Sequence, residues 1–91
     1  DFASAINLNP QFALAYNNRG FVYRDLGQLK EAKEDLDRAI QLNPKLAMAY
    51  YNRAFAYSLL GMDRDAKQDA ERAVDLGFDP AQIAQALSGP K

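Results

Sequence analysis

Residues 13–44 read ALAYNNRGFVYRDLGQLKEAKEDLDRAIQLNP, and residues 47–78 read AMAYYNRAFAYSLLGMDRDAKQDAERAVDLGF. The two stretches align without a gap when Ala13 is set over Ala47, and nearly half of the wider sections 11–44 and 45–78 is identical in this register. The first ten residues match the second half of the same pattern. A fixed period of this length is typical of a repeat array, whereas a generic alanine-rich bundle needs none.

The first full repeat is predicted to contain two helices. Apolar and small residues recur at helical spacing over 13–26 and again over 30–42. Gly27 lies between the two runs, where glycine commonly ends a helix. The second run is expected to end at Asn43, because a residue that precedes proline, here Pro44, is pushed out of the α region.

The second repeat follows the same plan, with predicted helices over 47–60 and 64–76. Gly61 is the predicted break between them, and Asp63 is the predicted N-cap of the second of these helices. The sequence therefore predicts four helices that alternate along the two repeats.

Small residues occupy the positions where the two helices of a repeat are expected to face each other. Gly20 and Ala32 form such a pair in the first repeat, and Ala54 and Ala66 form the equivalent pair in the second. We expect the backbones to approach closely there. Tyr16, Tyr23 and Leu36 are expected to close the first hairpin, with Ala39 admitting the neighbouring helix.

The organisation predicted from the period has four parts. Residues 1–10 are the second helix of a truncated repeat, 11–44 and 45–78 are full repeats, and 79–91 form a C-terminal capping helix and tail. The truncated repeat leaves an apolar helix face that carries Phe2 and is expected to lack its hairpin partner.

The second repeat is expected to be thinner and to lie at the edge of the array, since Ala70 stands where the first repeat has Leu36, and Phe78 replaces the terminal proline. Asp79 and Pro80 predict an N-cap followed by proline at the first helical position. Terminal helices of this kind shield the last apolar face of a repeat array. Within residues 80–88 the expected inward side chains are Ile83, Ala84 and Leu87, and the expected solvent-facing ones are Gln82, Gln85 and Ser88.

The repeat resembles the tetratricopeptide repeat, whose pattern is W-x₂-L-G-x₂-Y, then A-x₃-F, then P in each unit of the array. The first copy here reads Tyr16-x₂-Arg19-Gly20-x₂-Tyr23, and the second reads Tyr50-x₂-Arg53-Ala54-x₂-Tyr57. The resemblance covers roughly residues 1–78. It implies an all-α, right-handed superhelical solenoid of antiparallel helix-turn-helix hairpins, and by itself it says little about function, because this fold serves many roles.

Two departures from the family pattern predict ion pairs. Arg19 and Arg53 replace the usual leucine, and Asp35 and Asp69 occupy equivalent positions of the two repeats. We expect each guanidinium to bind the carboxylate of its own repeat, in a structural role.

The candidate site is the face of the first helix of each repeat that lies opposite Tyr16, Gly20 and Tyr23 at 100° per residue. In the tetratricopeptide repeat family, which the sequence resembles, this face lines the concave groove. An apolar strip flanked by amides suits an extended or helical peptide. The predicted partner-binding residues are Leu14, Asn17, Asn18, Phe21, Arg24, Met48, Tyr51, Asn52, Phe55 and Ser58.

Asn18 and Asn52 are expected to bond a partner's backbone, since a side-chain amide both donates and accepts. The alternative is that Phe21 and Phe55 are covered by an adjacent repeat, the terminal helix or a neighbouring molecule. Only Asn18 and Asn52 match the pattern of a family subclass that grips a C-terminal carboxylate, because its lysine positions hold apolar or amide residues here, including Leu14.

Composition narrows the other function classes. The 91 residues carry 11 basic and 12 acidic side chains, no Cys and no His. No catalytic, cofactor or metal site is expected, because the commonest general base and zinc ligands are missing and no phosphate loop occurs. Nucleic-acid binding is not expected from a net charge of −1. Apolar runs are too short for membrane insertion. A soluble protein is expected; the compartment is open, with the cytoplasm as the default.

Two functions follow. The first is a scaffold that binds a peptide or protein segment on the concave face. The second is a structural spacer or self-association module of a larger protein, whether or not that protein is an enzyme, acting through the exposed helix that carries Phe2 and Ile6. A homodimer made through residues 1–8 would favour the second.

Overall fold

The computed structural model describes residues 10–87, and these residues form only helices and connecting turns. The helices are α1 (Pro10–Asp25), α2 (Leu29–Leu42), α3 (Ala47–Leu59), α4 (Asp63–Asp75) and α5 (Pro80–Leu87). The all-α class is confirmed. Residues 1–9 of the predicted helix over 1–10, and with them the self-association face at Phe2 and Ile6, lie outside the described residues.

The glycine stops end α1 and α3 in the same way. Gly27 and Gly61 have φ values of 78° and 80°, a left-handed conformation that glycine adopts at no steric cost. The next residue's N–H then bonds back to the carbonyl five positions earlier, from Gln28 to Tyr23 at 2.9 Å and from Met62 to Tyr57 at 2.8 Å. This bond is the mark of a Schellman motif, which satisfies carbonyls at the helix end.

Two of the other predicted helix ends are confirmed, at Asn43 and at Asp79, and one is wrong, at Asp63. Asn43 is extended, as expected before Pro44, and α2 ends at Leu42. Asp79 caps α5, because the N–H of Ala81 donates to its Oδ1 at 2.9 Å. The predicted N-cap at Asp63 is wrong. Met62 holds that position without a side-chain bond, and Asp63 is already helical, where its charge favours the helix dipole instead.

The helices pair as two hairpins, α1 with α2 and α3 with α4, and α3 then packs on both helices of the first hairpin. The predicted close approach in the first hairpin is confirmed. A Cβ placed on Gly20 would lie 2.8 Å from Leu36 Cγ and 3.2 Å from the carbonyl oxygen of Ala32. Only glycine leaves room for that contact.

Small residues and one leucine join the hairpins. Leu36 and Ala39 of α2 are fully buried in a cluster with Ala49 of α3, and Tyr16 packs against it. Ala39 therefore admits the neighbouring helix, as predicted. The hydroxyl of Tyr50 donates to the carbonyl oxygen of Pro44 at 3.0 Å, which ties α3 to the turn before it.

The helix α5 covers part of the second hairpin. Ile83 is buried in a cluster with Tyr50 and Ala73. Gln82 and Gln85 are exposed, as predicted, but Ala84 is exposed as well, so its predicted inward position is wrong. Ile83 inserts its side chain into the cleft, and the next residue is rotated about 100° away from it. The side chains of Leu87 and Ser88 lie outside the described range.

Candidate functional site

The helices α1, α3 and α5 line a groove of about 450 Å³. Six of the ten predicted site residues lie in its wall. Phe78 and Gln82, which the sequence analysis did not select, complete it. The lining residues are Asn17, Asn18, Phe21, Met48, Tyr51, Asn52, Phe78 and Gln82. We call this surface the inner groove. All eight of these side chains are uncharged.

The exposed part of the inner groove is apolar. Phe21 is 42% exposed and Met48 is 48% exposed, although both are large hydrophobic side chains. Leu14, on α1, is also exposed but is not among the groove-lining residues. The exposed pair spans the two repeats, since Phe21 belongs to α1 and Met48 to α3.

The guanidinium of Arg24 is inserted between the two repeats. Its Cζ lies 4.5 Å from the ring centroid of Phe21 and 4.2 Å from that of Phe55. Its Nη1 donates to Asn52 Oδ1 at 3.3 Å, and its Nη2 donates to Asp25 Oδ1 at 3.1 Å. Cations stack favourably on aromatic faces. Arg24 and Phe55 therefore contact each other and are not among the residues that line the inner groove, and their role in partner binding stays a prediction.

Two buried asparagines link the repeats beneath the inner groove. Asn52 Nδ2 donates to Asn17 Oδ1 at 2.9 Å, and the two side chains are only 2% and 1% exposed. The amide of Asn52 is thus hydrogen-bonded on both sides, to Asn17 and Arg24, and its bond to a partner's backbone stays a prediction. Asn18 is exposed and keeps that prediction open.

The orientation of these amides follows from Arg24. A guanidinium only donates, so Asn52 must turn its oxygen to Arg24 and its nitrogen to Asn17. Asn17 must then turn its oxygen to Asn52. This leaves Asn17 Nδ2 as a buried donor with no protein partner. A buried donor without an acceptor costs about 1–3 kcal/mol.

The aromatic end of the inner groove is built by Tyr51 and Phe78. Their rings stack with centroids 4.5 Å apart and an interplanar angle of 16°. This contact half-buries Tyr51 and joins α3 to the turn before α5. The repeat register offered a signal for these missed residues, because Gln82 is the equivalent of Met48 and Phe78 takes the position of Pro44.

Ser58 does not reach the inner groove. It lies near the end of α3 and lines a second groove, together with residues of α4. It is the repeat equivalent of Arg24, and its role in partner binding stays a prediction.

The predicted ion pairs are confirmed in both repeats. Arg19 Nε and Nη2 donate to Asp35 at 2.6 and 2.8 Å, and Arg53 makes the same two bonds to Asp69 at the same distances. These hydrogen bonds raise the pKa of each arginine further above its ordinary value. Arg53 makes a third bond, from Nη1 to Asp37 of the first repeat at 2.9 Å.

The described residues contain neither a candidate metal site nor a helix that could span a membrane. Within residues 10–87, no group of three or more His, Cys, Asp or Glu side chains is placed to hold a metal ion. No helix in the same range is long and apolar enough to cross a bilayer.

Stacked hairpins with a shared inner groove define a helical repeat protein. Two models of the tetratricopeptide repeat match the chain, one over residues 13–46 and the other over residues 36–68. Together they span more than half of the 91 residues, and the chain belongs to the tetratricopeptide repeat family. Searches among curated proteins and among solved structures found no match.

Proposed function

We propose that the inner groove binds an uncharged, apolar segment of a protein partner. Tetratricopeptide repeats are generally protein–protein interaction modules and are typically non-catalytic scaffolds. The observation that carries the finer proposal is the exposure of Phe21 and Met48, which belong to different repeats and line the same groove. Large apolar side chains at the lip of a groove are a common mark of an interaction site.

The chemistry of the groove walls favours a neutral segment. The arginine nearest the groove, Arg24, is already bound by Asp25 and Asn52, and its side chain is largely buried. An anionic group such as a C-terminal carboxylate would therefore find no available cation among the lining residues. An apolar side chain that packs on Phe21 and Met48 would lose water from both surfaces.

The buried donor of Asn17 supports a backbone contact. A main-chain carbonyl of the bound segment is the acceptor that we propose for Asn17 Nδ2. Asn18 and Gln82, at the rim, supply further amide groups for an extended backbone. Amide groups can bond to the main chain of any sequence, so the apolar side chain of the bound segment would decide which partner is selected.

Selection from a displayed peptide library on the immobilised 91-residue chain tests this function. We expect enriched peptides to share an aliphatic or aromatic residue and few charges. Replacing Phe21 and Met48 by alanine should weaken the selected peptides about tenfold or more, the usual size for a central anchor contact. Val22→Ala is the matched control, because Val22 is an exposed apolar residue of α1 outside the groove. The proposal would be refuted if the selected peptides bound the chain without Phe21 and Met48 as tightly as they bind the Val22→Ala control.

The alternative function, a spacer or self-association module, stays a prediction. Its proposed contacts at Phe2 and Ile6 lie outside the described residues, and none of the described residues favours it over binding in the inner groove.

A further inference from the structure

A chain of hydrogen bonds runs from Arg24, which does not line the inner groove, to Asn17, which does. Arg24 Nη1 donates to Asn52 Oδ1 at 3.3 Å, and Asn52 Nδ2 donates to Asn17 Oδ1 at 2.9 Å. Asn17 and Asn52 are also the buried polar side chains among the residues that line the groove. A residue outside the groove is therefore connected to the groove wall through buried polar groups.

Arg24 is held in place at the start of this chain. Its guanidinium lies between the rings of Phe21 and Phe55, its Nη2 donates to Asp25, and its side chain is only 10% exposed. A guanidinium carries donors and no acceptor, and it keeps its proton at any pH at which the protein is folded. The direction of each hydrogen bond that follows in the chain is therefore set at Arg24.

An amide by itself sets no direction, because its oxygen and nitrogen exchange places when the group turns over. With Arg24 present, Asn52 keeps its oxygen on the guanidinium, and Asn17 keeps its oxygen on Asn52. The group left at the end is Asn17 Nδ2, which is buried and has no acceptor among residues 10–87. The chain of hydrogen bonds thus ends in a donor at the wall of the inner groove.

The repeat comparison shows that these residues occur as a set. One period later along the sequence, the equivalents of Asn17, Arg24 and Asn52 are Tyr51, Ser58 and Ala86. All members of the chain are replaced together, although the arginine–aspartate pair within each repeat is kept. Packing of α5 on the second hairpin therefore does not need this hydrogen-bond chain, and a general requirement of helix stacking does not explain it.

We propose that Arg24 is a positioning residue that determines the hydrogen-bonding selectivity of the inner groove. It acts through Asn52 and fixes Asn17 as a donor, so the bound segment must place an acceptor there. A main-chain carbonyl inside a helix is already bonded to an N–H of the same helix, whereas an extended segment leaves its carbonyls available. The proposal rests on the function proposed above, and it adds that the apolar segment is bound in an extended conformation.

The first test needs no peptide. Arg24→Met keeps a long apolar side chain between the two rings but removes every donor, whereas Arg24→Lys keeps a cation that only donates. NOEs from the side-chain amide protons of Asn52 report which way this amide is turned. They should connect to Asn17 in the parent chain and in Arg24→Lys. In Arg24→Met both orientations should be populated, with added NOEs to the methyl group of the introduced methionine.

The second test measures recognition with the strongest peptide from the displayed library. The peptide is remade with one backbone carbonyl at a time replaced by a thiocarbonyl, which is a weaker acceptor. At one position this change should weaken binding to the parent chain and to Arg24→Lys about fivefold or more, as expected for a buried donor that loses its acceptor. Against Arg24→Met the same change should cost less than about twofold. A purely structural role of Arg24 would lower the affinity of every peptide alike and leave this ratio unchanged.

Asn17→Asp is a second variant that leaves Arg24 in place and replaces the donor by an oxygen. It should weaken the unmodified peptide about tenfold and abolish the effect of the thiocarbonyl. Circular dichroism checks that each variant keeps its helices.

The proposal is overturned by a single Asn52 orientation in all three chains that differ at residue 24. It is also overturned if no thiocarbonyl weakens binding, or if the same one does so equally in the parent chain and Arg24→Met. Those results would leave the proposed function intact as long as Phe21 and Met48 are still required for binding. If these two residues are not required, the proposed function fails, and the NOEs of Asn52 still decide whether Arg24 sets the direction of the amides.

Discussion

The two hairpins have the same backbone plan but fill it with different side chains. In the first hairpin Gly20 lets Leu36 pack against α1, and Leu36 is fully buried. In the second hairpin the equivalent positions hold Ala54 and Ala70, so a methyl group is gained on one helix while the side chain opposite is shortened. The repeat thus preserves the approach of the helices and varies the residues that fill the space between them.

The hairpins also differ in how their arginines are held. Among residues 10–87, Arg19 binds one carboxylate and its side chain is 60% exposed, whereas Arg53 binds two and is 20% exposed. The second carboxylate, Asp37, comes from the preceding hairpin. Stacking one hairpin on another therefore converts a pair within a repeat into a link between repeats.

The largest expected effect tests the packing difference. Leu36→Ala should lower the free energy of unfolding by about 2–5 kcal/mol, because it opens a cavity in the first hairpin. Adding Gly20→Ala imitates the second hairpin and places a methyl group beside that cavity. We expect the double variant to be more stable than the sum of the single changes, by about 1 kcal/mol in urea titrations.

Ala54→Gly is the matched change in the second hairpin. It should cost about 1 kcal/mol from helix propensity alone. Strict additivity of the two changes at Gly20 and Leu36 would contradict the packing account.

The next largest effect tests the arginine difference. Arg53→Met should destabilise the chain by about 1–3 kcal/mol, because it leaves the largely buried Asp69 without its charge partner and removes the link to Asp37. Arg19→Met should destabilise it less, since the exposed guanidinium loses one partner in a well-solvated position. Thermal or urea unfolding of both variants measures which substitution destabilises the chain more. An equal loss of stability, or a larger loss for Arg19→Met, would contradict the proposed link between repeats.

A third prediction concerns a feature that the hairpins share. Gly27→Ala and Gly61→Ala should each cost about 1–2 kcal/mol, because both positions have positive φ and neither has a neighbouring atom that a methyl group would meet. The two values should agree within about 0.5 kcal/mol in the same denaturation assay. Clearly different values would show that the two Schellman turns are not equivalent.

The smallest effect is a pH dependence of the contact between hairpins. A hydrogen bond to Asp37 raises the pKa of Lys33 above 10.5, and burial raises the pKa of Tyr57 above 10.0. A folded-state pKa above the unfolded value stabilises the fold below that unfolded value. This contribution is lost as the pH rises through the folded pKa.

Stability should therefore decrease above about pH 10. Lys33→Met should remove part of that decrease, about 0.5 kcal/mol or less for a pair whose side chains are both 35% exposed. Lys67→Met is the matched control, because Lys67 has no aromatic partner in the second hairpin. Urea titrations at pH 8 and about pH 11 compare the variants. An identical alkaline decrease with and without Lys33 would contradict the assignment.

Features that recur in both repeats could be predicted from the sequence. The hairpins, both glycine stops, and the pairs Arg19–Asp35 and Arg53–Asp69 occupy equivalent positions and are present in the structure. Each depends on residues within one repeat at fixed helical spacing. A periodic sequence specifies such local contacts twice, which makes them easy to recognise.

Contacts that break the period could not be predicted. Arg24 reaches between Phe21 and Phe55, but its equivalent in the second repeat is Ser58, so no repeated pattern marks the insertion. The bond between Asn17 and Asn52 is likewise made between positions that are not equivalent. Such contacts depend on how a long side chain extends from one hairpin to the next. Helical periodicity predicts only the helix face on which that residue lies.

The central claim is that the inner groove binds an apolar segment across two repeats. The most direct measurement is an NMR titration of the labelled 91-residue chain with the strongest peptide from the displayed library. The account predicts shift changes and intermolecular NOEs at Phe21, Met48 and Phe78, with little change along α4. Saturable binding whose NOEs lie elsewhere, with those three side chains unaffected, would contradict it.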